Sequence, residues 1–547
     1  MKHVPSARRK FLAGLSALTA GSVFFGYKTL NINAKENNQL DLAVSDKVVP
    51  KAKTRMGINF SGIAYWASEL PFANFMHQSG EWVSQPPNYG DWGTGPKLDL
   101  DESGWIKKLE KGCAATKILC SGDKVQYPSG IYTILYDGEG EIELLFSVGV
   151  VKKLSEGRME ADVDSTKGML AINITATNPQ NYMRNIRVIA PGLEASYEKN
   201  PWRPDFLKRW QGIACIRVMD MMATNHSKQS LWADRPIPND VSYAVKGVPA
   251  ELLVDLANRL QTDIWFCMPH LATDEYIQQF AMLVKNNLQS GLLAWIEYSN
   301  EVWNGAFDQY HYAEEQGTKL RLNRDRWQAA FLFNAKRSVE MFTIWESVFD
   351  DQHRLVRVIA SQAANEWHAD QLLRAPEVAA HVDVLAVAPY VSLNVPLQAD
   401  GDVDAETVTK WSLDKLFTHI NSVCLSQAKA WMQKNKKVAD THGVKLVAYE
   451  AGQHLVGVAG AENNDKLTQL FLQANQDKRM GEVYAHYLDA WQSIGGDLIC
   501  LFNSTEKWSR HGSWGLLQDY NEPAVSSPKF KAVMDWAKAQ GQQVTYE

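Results

Sequence analysis

Two glutamates, Glu301 and Glu450, are the carboxyls best placed for chemistry, because each closes a short apolar run. Residues 294–304 read Ala-Trp-Ile-Glu-Tyr-Ser-Asn-Glu-Val-Trp-Asn, and residues 445–450 read Lys-Leu-Val-Ala-Tyr-Glu. A carboxyl at the exit of a buried strand, beside Asn300 and between Trp295, Trp303 and Asn304, is placed to meet a polar ligand on an aromatic surface. A second carboxyl gives it a partner. One protonated and one ionised group can divide acid and nucleophilic work between them.

The elements that must position this pair alternate strand and helix. Short apolar strands are predicted at 56–60, 213–219, 264–268, 292–298, 355–359, 384–388, 446–449 and 498–502. Helical patterns fill the gaps at 249–260, 274–288, 308–349, 370–380, 412–434, 465–491 and 527–539. Thr273 is a plausible cap for the second of these, and Pro249 opens the first. Near-continuous apolar strands separated by helices describe a parallel sheet covered on both faces, and eight such units close into a (β/α)8 TIM barrel. The rival, an open doubly wound sheet, lacks a glycine-rich phosphate turn after any strand. The barrel count puts Glu301 after strand 4 and Glu450 after strand 7, both at the C-terminal mouth.

Between 106 and 195 the texture changes to short alternating runs, which implies an inserted antiparallel β-sandwich-like domain after strand 1. Within it, 131–136 and 142–150 read as a hairpin about Asp137-Gly138-Glu139-Gly140. The remaining divisions are a signal segment at 1–34, a polar linker at 35–53, strand 1 with an aromatic loop at 54–105, and the rest of the barrel at 196–547. Ser6-Ala7-Arg8-Arg9-Lys10-Phe11-Leu12 is a twin-arginine pattern, so export to a bacterial periplasm or beyond is expected. An uncleaved N-terminal anchor is the alternative.

The 547-residue chain carries a net charge of −6, which offers no basic field for nucleic acid. Nineteen tryptophans are the unusual feature, since a tryptophan face exposed to water needs something to meet, and a sugar ring is one such partner. The six cysteines show no metal spacing and no disulfide framework: Cys215, Cys267 and Cys500 sit inside apolar runs and read as buried strand residues, and Cys113 and Cys120, an odd number of positions apart, would face opposite ways on one strand. No metal and no cofactor are expected.

Asn-Glu after strand 4 with Glu after strand 7 resembles the clan of (β/α)8 retaining glycoside hydrolases that includes cellulases, mannanases, xylanases and β-galactosidases. The resemblance covers the barrel, 56–60 and 204–539, and not the inserted domain. It implies that Glu301 is the acid/base and Glu450 the nucleophile. It further implies that Asn300 binds the sugar hydroxyl beside the anomeric carbon and that Arg217 orients Glu450 and keeps it ionised. His270 in Met-Pro-His and Tyr390 in Ala-Pro-Tyr match the clan's polar residues around the site. The clan's strand-8 tryptophan is missing, since that strand ends Phe502-Asn503, and Trp508 or Trp514 in the next loop is the candidate replacement.

A glycosidic bond needs a proton on its leaving oxygen and electron density at its anomeric carbon. With the two carboxyls about 5 to 5.5 Å apart no water fits between them, and the second attacks directly to give a covalent intermediate. The implied partner is an oligo- or polysaccharide, with Trp303 beside the acid and Trp232, in the loop 225–238, walling the cleft. Two further readings use the same scaffold: a transglycosidase, and a non-catalytic glycan-binding protein. A metal-dependent hydrolase would need clustered His and Asp at strand ends, which the chain lacks.

Overall fold

A computed structural model describes residues 54–121, 127–399 and 403–545. The signal segment and linker read in 1–53 lie outside them. Eight parallel strands close a barrel in chain order: β1 Arg55–Asn59, β2 Cys215–Arg217, β3 Asp263–Met268, β4 Ala294–Tyr298, β5 Leu355–Ala360, β6 Val384–Val387, β7 Lys445–Ala448 and β8 Leu498–Leu501. Pairing of Ile58 with Ile216 on one side and with Leu501 on the other makes β1 the closing strand.

Side chains alternate across each strand, and the alternation sorts the sequence into two cores. Ile264, Phe266, Ile296, Tyr298, Leu446 and Ala448 face the helices, while Trp265, Cys267, Trp295, Val447 and Tyr449 fill the barrel. The Trp265 and Trp295 rings stack inside it at 5.3 Å. Trp295 is thus interior packing, a correction to the expectation that it borders a ligand. All six cysteines are buried and free. Gly57 is required where it stands, since a Cβ there would meet the Cys215 carbonyl oxygen at 2.7 Å and the Cys500 sulfur at 2.8 Å.

The helices include α1 Ala250–Leu260, α2 Asp274–Asn287, α3 Asp308–Lys319 and α4 Arg326–Val348. Thr273 caps α2 by accepting from the Tyr276 N–H at 3.2 Å. The single helical pattern read over 308–349 is two helices packed against each other. Beyond β6 and β7 the chain adds a small parallel pair, Val391–Pro396 with Gln453–Val458, in stretches to which the sequence assigns no strand.

The insertion holds two four-stranded sheets around one core. The first orders Val83–Gln85, Ala114–Cys120, Leu170–Thr177 and Gly140–Phe146; the second orders Arg184–Ile189, Gly130–Asp137, Arg158–Val163 and Val148–Ser155. Ile172 and Leu144 of the first meet Tyr132, Ile134 and Ala161 of the second. The sandwich stands, but two expectations fail. Its first strand comes from Val83–Gln85, ahead of the boundary at 106. The expected hairpin is absent: Gly130–Asp137 and Gly140–Phe146 lie in opposite sheets. At Phe146, where φ is 76°, the chain breaks and crosses back, so the run 142–150 becomes two strands.

Candidate active site

Arg217 ends β2 with its side chain inside the barrel mouth and fully buried. A buried guanidinium needs acceptors for its donors, and here the neighbouring strands supply them. Nη1 donates to Oε1 of Glu450 at 3.0 Å and to Oδ1 of Asn59 at 3.1 Å. Nη2 donates to Oδ1 of Asn300 at 2.7 Å and to Oε2 of Glu297 at 3.0 Å, and Nε reaches that same oxygen at 3.3 Å. One cation therefore serves two carboxylates.

Glu450 stands one residue beyond Tyr449 at the end of β7. Its second oxygen, Oε2, accepts from the Tyr390 hydroxyl at 2.9 Å. Burial raises this carboxyl, and Arg217 and Tyr390 draw it back toward the ionised form. Glu301 leaves β4 through a tight turn in which Ser299 and Glu301 have φ of 57° and 42°. Non-glycine residues in this region are strained and tend to cluster at functional sites. Oε1 of Glu301 accepts from the Tyr449 hydroxyl and Oε2 from Nδ2 of Asn304, both at 2.8 Å. Among the described residues no cation pairs with it. Burial and the nearby charge of Glu450 push the Glu301 carboxyl up to about 7.

The structure thus joins Glu301, Glu450, Arg217, Asn300 and Tyr390 in one network. Asn300 also donates through Nδ2 to Asn225 at 3.1 Å, and its backbone carbonyl accepts from Gln309 at 2.9 Å. His270 stays outside: among the described residues no hydrogen bond ties its ring to either carboxyl. It packs edge-on against Tyr312 at 5.4 Å, and burial lowers it to about 4. Trp303 is partly exposed beside Glu301. Trp232 lies under Arg235, whose guanidinium is 4.2 Å from the ring centre, and against Tyr276.

Of the two proposed platforms, Trp508 is turned inward. Its indole N–H donates to the Gly515 carbonyl at 2.9 Å, and the Lys529 ammonium covers its ring at 4.2 Å. Trp514 stacks on His454 at 5.7 Å, and His454 in turn leans on Tyr390 at 5.8 Å. Trp514 and His454 are themselves buried, so the row packs the strand-8 loop against the Glu450 side of the mouth.

Several residues of the site escaped sequence reasoning. Glu297 is buried inside the barrel, where Trp265 Nε1 donates to its Oε2 at 2.9 Å. Period-two alternation from Trp295 was the available signal. Tyr449 and Asn304 hydrogen-bond Glu301, and Asn59 accepts from Arg217 while donating to the Tyr449 carbonyl. Asp220 after β2 is a further carboxyl near Glu450, Glu506 after β8 lies near Asp220, and burial is the first cause that pushes each up to about 7. Glu506 accepts from Asn503 Nδ2 at 3.0 Å.

Fold and site together define a (β/α)8 barrel with paired carboxyls at its C-terminal mouth. No protein-family model matches the sequence, and no curated protein does. Solved barrel glycosidases overlie the fold. A 4-O-α-L-rhamnosyl-β-D-glucuronidase of Fusarium oxysporum 12S is 13% identical over 60% of this chain, with a TM-score of 0.37. That match spans 63% of the glucuronidase, less than two thirds of it. An endo-1,4-β-D-xylanase of Clostridium thermocellum, solved with xylohexaose, is 10% identical over 87% of this chain and 98% of its own, with a TM-score of 0.35. An endo-β-1,4-mannanase of Thermotoga petrophila is 13% identical over 62% of this chain and 74% of its own, at 0.32. No residue role rests on these overlaps.

Proposed function

We propose that the chain is an exported retaining glycoside hydrolase acting on a β-linked glycan. One observation carries this: two carboxyls at the mouth of one barrel stand in opposed settings. Glu450 is held by Arg217 and a phenol, while Glu301 is paired with no cation among the described residues and faces the charge of Glu450. Such a pair separates nucleophile from acid.

In the first step an oxygen of Glu450 bonds to the anomeric carbon, the glycosidic bond breaks, and the Glu301 proton passes to the leaving oxygen. In the second, Glu301 takes a proton from water, the water oxygen bonds to the anomeric carbon, and Glu450 leaves. Asn300, anchored on Arg217 and Asn225, is the residue assigned to the hydroxyl beside the anomeric carbon. Trp303, partly exposed, is assigned to the sugar-facing wall. Export rests on Arg8 and Arg9 in the twin-arginine pattern, and replacing both by Lys is expected to leave the protein in the cytoplasm, as fractionation would read.

The test is a panel of β-glucans, mannans, xylans and galactans with the purified protein and Glu450→Gln. The expected result is reducing-end release from one glycan, first in the β-anomer by NMR, and none from the variant. Binding without release by both proteins would favour the glycan-binding reading. Transfer to added oligosaccharide in preference to water would favour the transglycosidase.

A further inference from the structure

Tyr449, the residue before Glu450, is fully buried and pinned on three sides. Its backbone carbonyl accepts from Nδ2 of Asn59 at 2.8 Å, its N–H donates to the Val387 carbonyl at 3.1 Å, and its ring lies 5.0 Å from the Arg217 guanidinium. The hydroxyl reaches across the barrel mouth to one partner, Oε1 of Glu301, at 2.8 Å. The other oxygen, Oε2, accepts from Asn304 Nδ2 at 2.8 Å. The orientation of that amide is fixed, because Oδ1 of Asn304 accepts the Ala306 N–H at 3.1 Å.

The two partners differ in kind. An amide N–H only donates, whereas a phenol donates or accepts. The protonated oxygen of a carboxyl is the poorer acceptor, so Asn304 favours Oε2 as the bare oxygen and leaves Oε1 for the proton. Burial holds the Tyr449 phenol well above its usual range, so it keeps its own proton throughout.

We propose that Tyr449 is a positioning residue for proton transfer, which holds the acid proton on Oε1 of Glu301. The phenol accepts from the neutral carboxyl of the resting enzyme. When substrate binds, the Oε1–H bond breaks as the proton bonds to the leaving oxygen, and the phenolic O–H turns to donate to the carboxylate left behind. Tyr449 neither gains nor loses a proton. This deepens the hydrolase reading and rests on Glu301 as its acid.

Tyr449→Phe keeps the ring over Arg217 and removes only the hydroxyl. With aryl β-glycosides as probes, kcat for poor leaving groups is expected to fall about tenfold with KM unchanged. The 2,4-dinitrophenyl glycosides, which need little protonation, should be spared. The basic limb of kcat/KM should move up by about one pH unit, since the phenol's charge-assisted bond to the carboxylate is stronger than its bond to the neutral carboxyl and its loss costs the ionised form more. An unmoved limb, or kcat and KM changing together for all leaving groups, would overturn the proposal. If the wild type cleaves no glycoside, the hydrolase reading fails by itself. The hydrogen bond is then decided by a 13C NMR titration of labelled glutamate, with the Glu301 signal identified by its loss in Glu301→Gln. The same upward displacement in Tyr449→Phe supports the proposed contact, and an unshifted midpoint refutes it.

Discussion

Arg217 is one cation held between Glu297 and Glu450, and the way its charge is shared sets the state of Glu450. Lysine in its place would bring a single nitrogen to four acceptor side chains spread around a planar fork, so Arg217→Lys is not a conservative change. We expect a fall in kcat of about a hundredfold or more. The sign of the pH effect follows from the contact: Arg217 favours ionised Glu450, so weakening it moves the acidic limb of kcat/KM upward. The basic limb should lie near the Glu301 value of about 7 and stay there. Rate profiles of both proteins from pH 4 to 9 would check both limbs. Glu301, Glu450, Asn300, Arg217 and Tyr390 were legible because each polar residue interrupts or closes an apolar run. Glu297 and Tyr449 were not, because inside a strand a buried polar side chain looks like a defect in the apolar pattern until its cross-barrel partner is known. Trp508 misled for the opposite reason: a tryptophan in a loop is read as exposed, and here Lys529 covers it.

Among the elements, α3 holds the turn that presents Glu301 through Gln309, which donates to the Asn300 carbonyl, and it approaches α4 closely at Gly317. A Cβ on Gly317 would lie 2.1 Å from the Ala329 carbonyl oxygen and 2.5 Å from its carbon, both backbone atoms that cannot swing aside. Gly317→Ala is therefore expected to destabilise the fold by about 1 to 3 kcal/mol despite the better helix propensity of alanine. A lowered Tm in calorimetry would show it, and an unchanged or raised Tm would contradict the close contact. The eight barrel strands were legible to within about two residues at either end, since parallel strands buried on both faces are apolar throughout. The insertion was harder. Antiparallel strands joined by a tight turn are normally partners, and nothing local in Asp137-Gly138-Glu139-Gly140 says that the flanking strands part into opposite sheets. The pair Val391–Pro396 and Gln453–Val458 was missed because its strands are far apart in sequence and each follows a barrel strand directly.

The molecule as a whole crowds carboxyls at the mouth: Asp220 stands near both Glu450 and Glu506, and Asp220 and Glu506 are each pushed up to about 7. A carboxyl that titrates near 7 when folded and near 4 when unfolded binds a proton that the unfolded chain has already lost across that window. Its contribution to stability therefore declines as pH rises from about 4 to 7, and above 7 the buried charge weakens the fold. Asp220→Asn and Glu506→Gln should raise Tm at pH 8 by about 2 °C or more and leave it unchanged near pH 4, as thermal melts at the two pH values would read. This crowding was not legible in the sequence, since Asp220 and Glu506 meet only when β8 closes against β1. The central claim, that Glu450 attacks an anomeric carbon, is tested most directly by trapping. The protein is incubated with 2,4-dinitrophenyl 2-deoxy-2-fluoro-β-glycosides of glucose, mannose, xylose and galactose, and its mass and peptides are measured. The account predicts a mass increase of one fluoroglycosyl unit, carried by the peptide containing Glu450 and absent in Glu450→Gln. Labelling of another residue, or no adduct with any of the four sugars while a natural glycan is still cleaved, would contradict it.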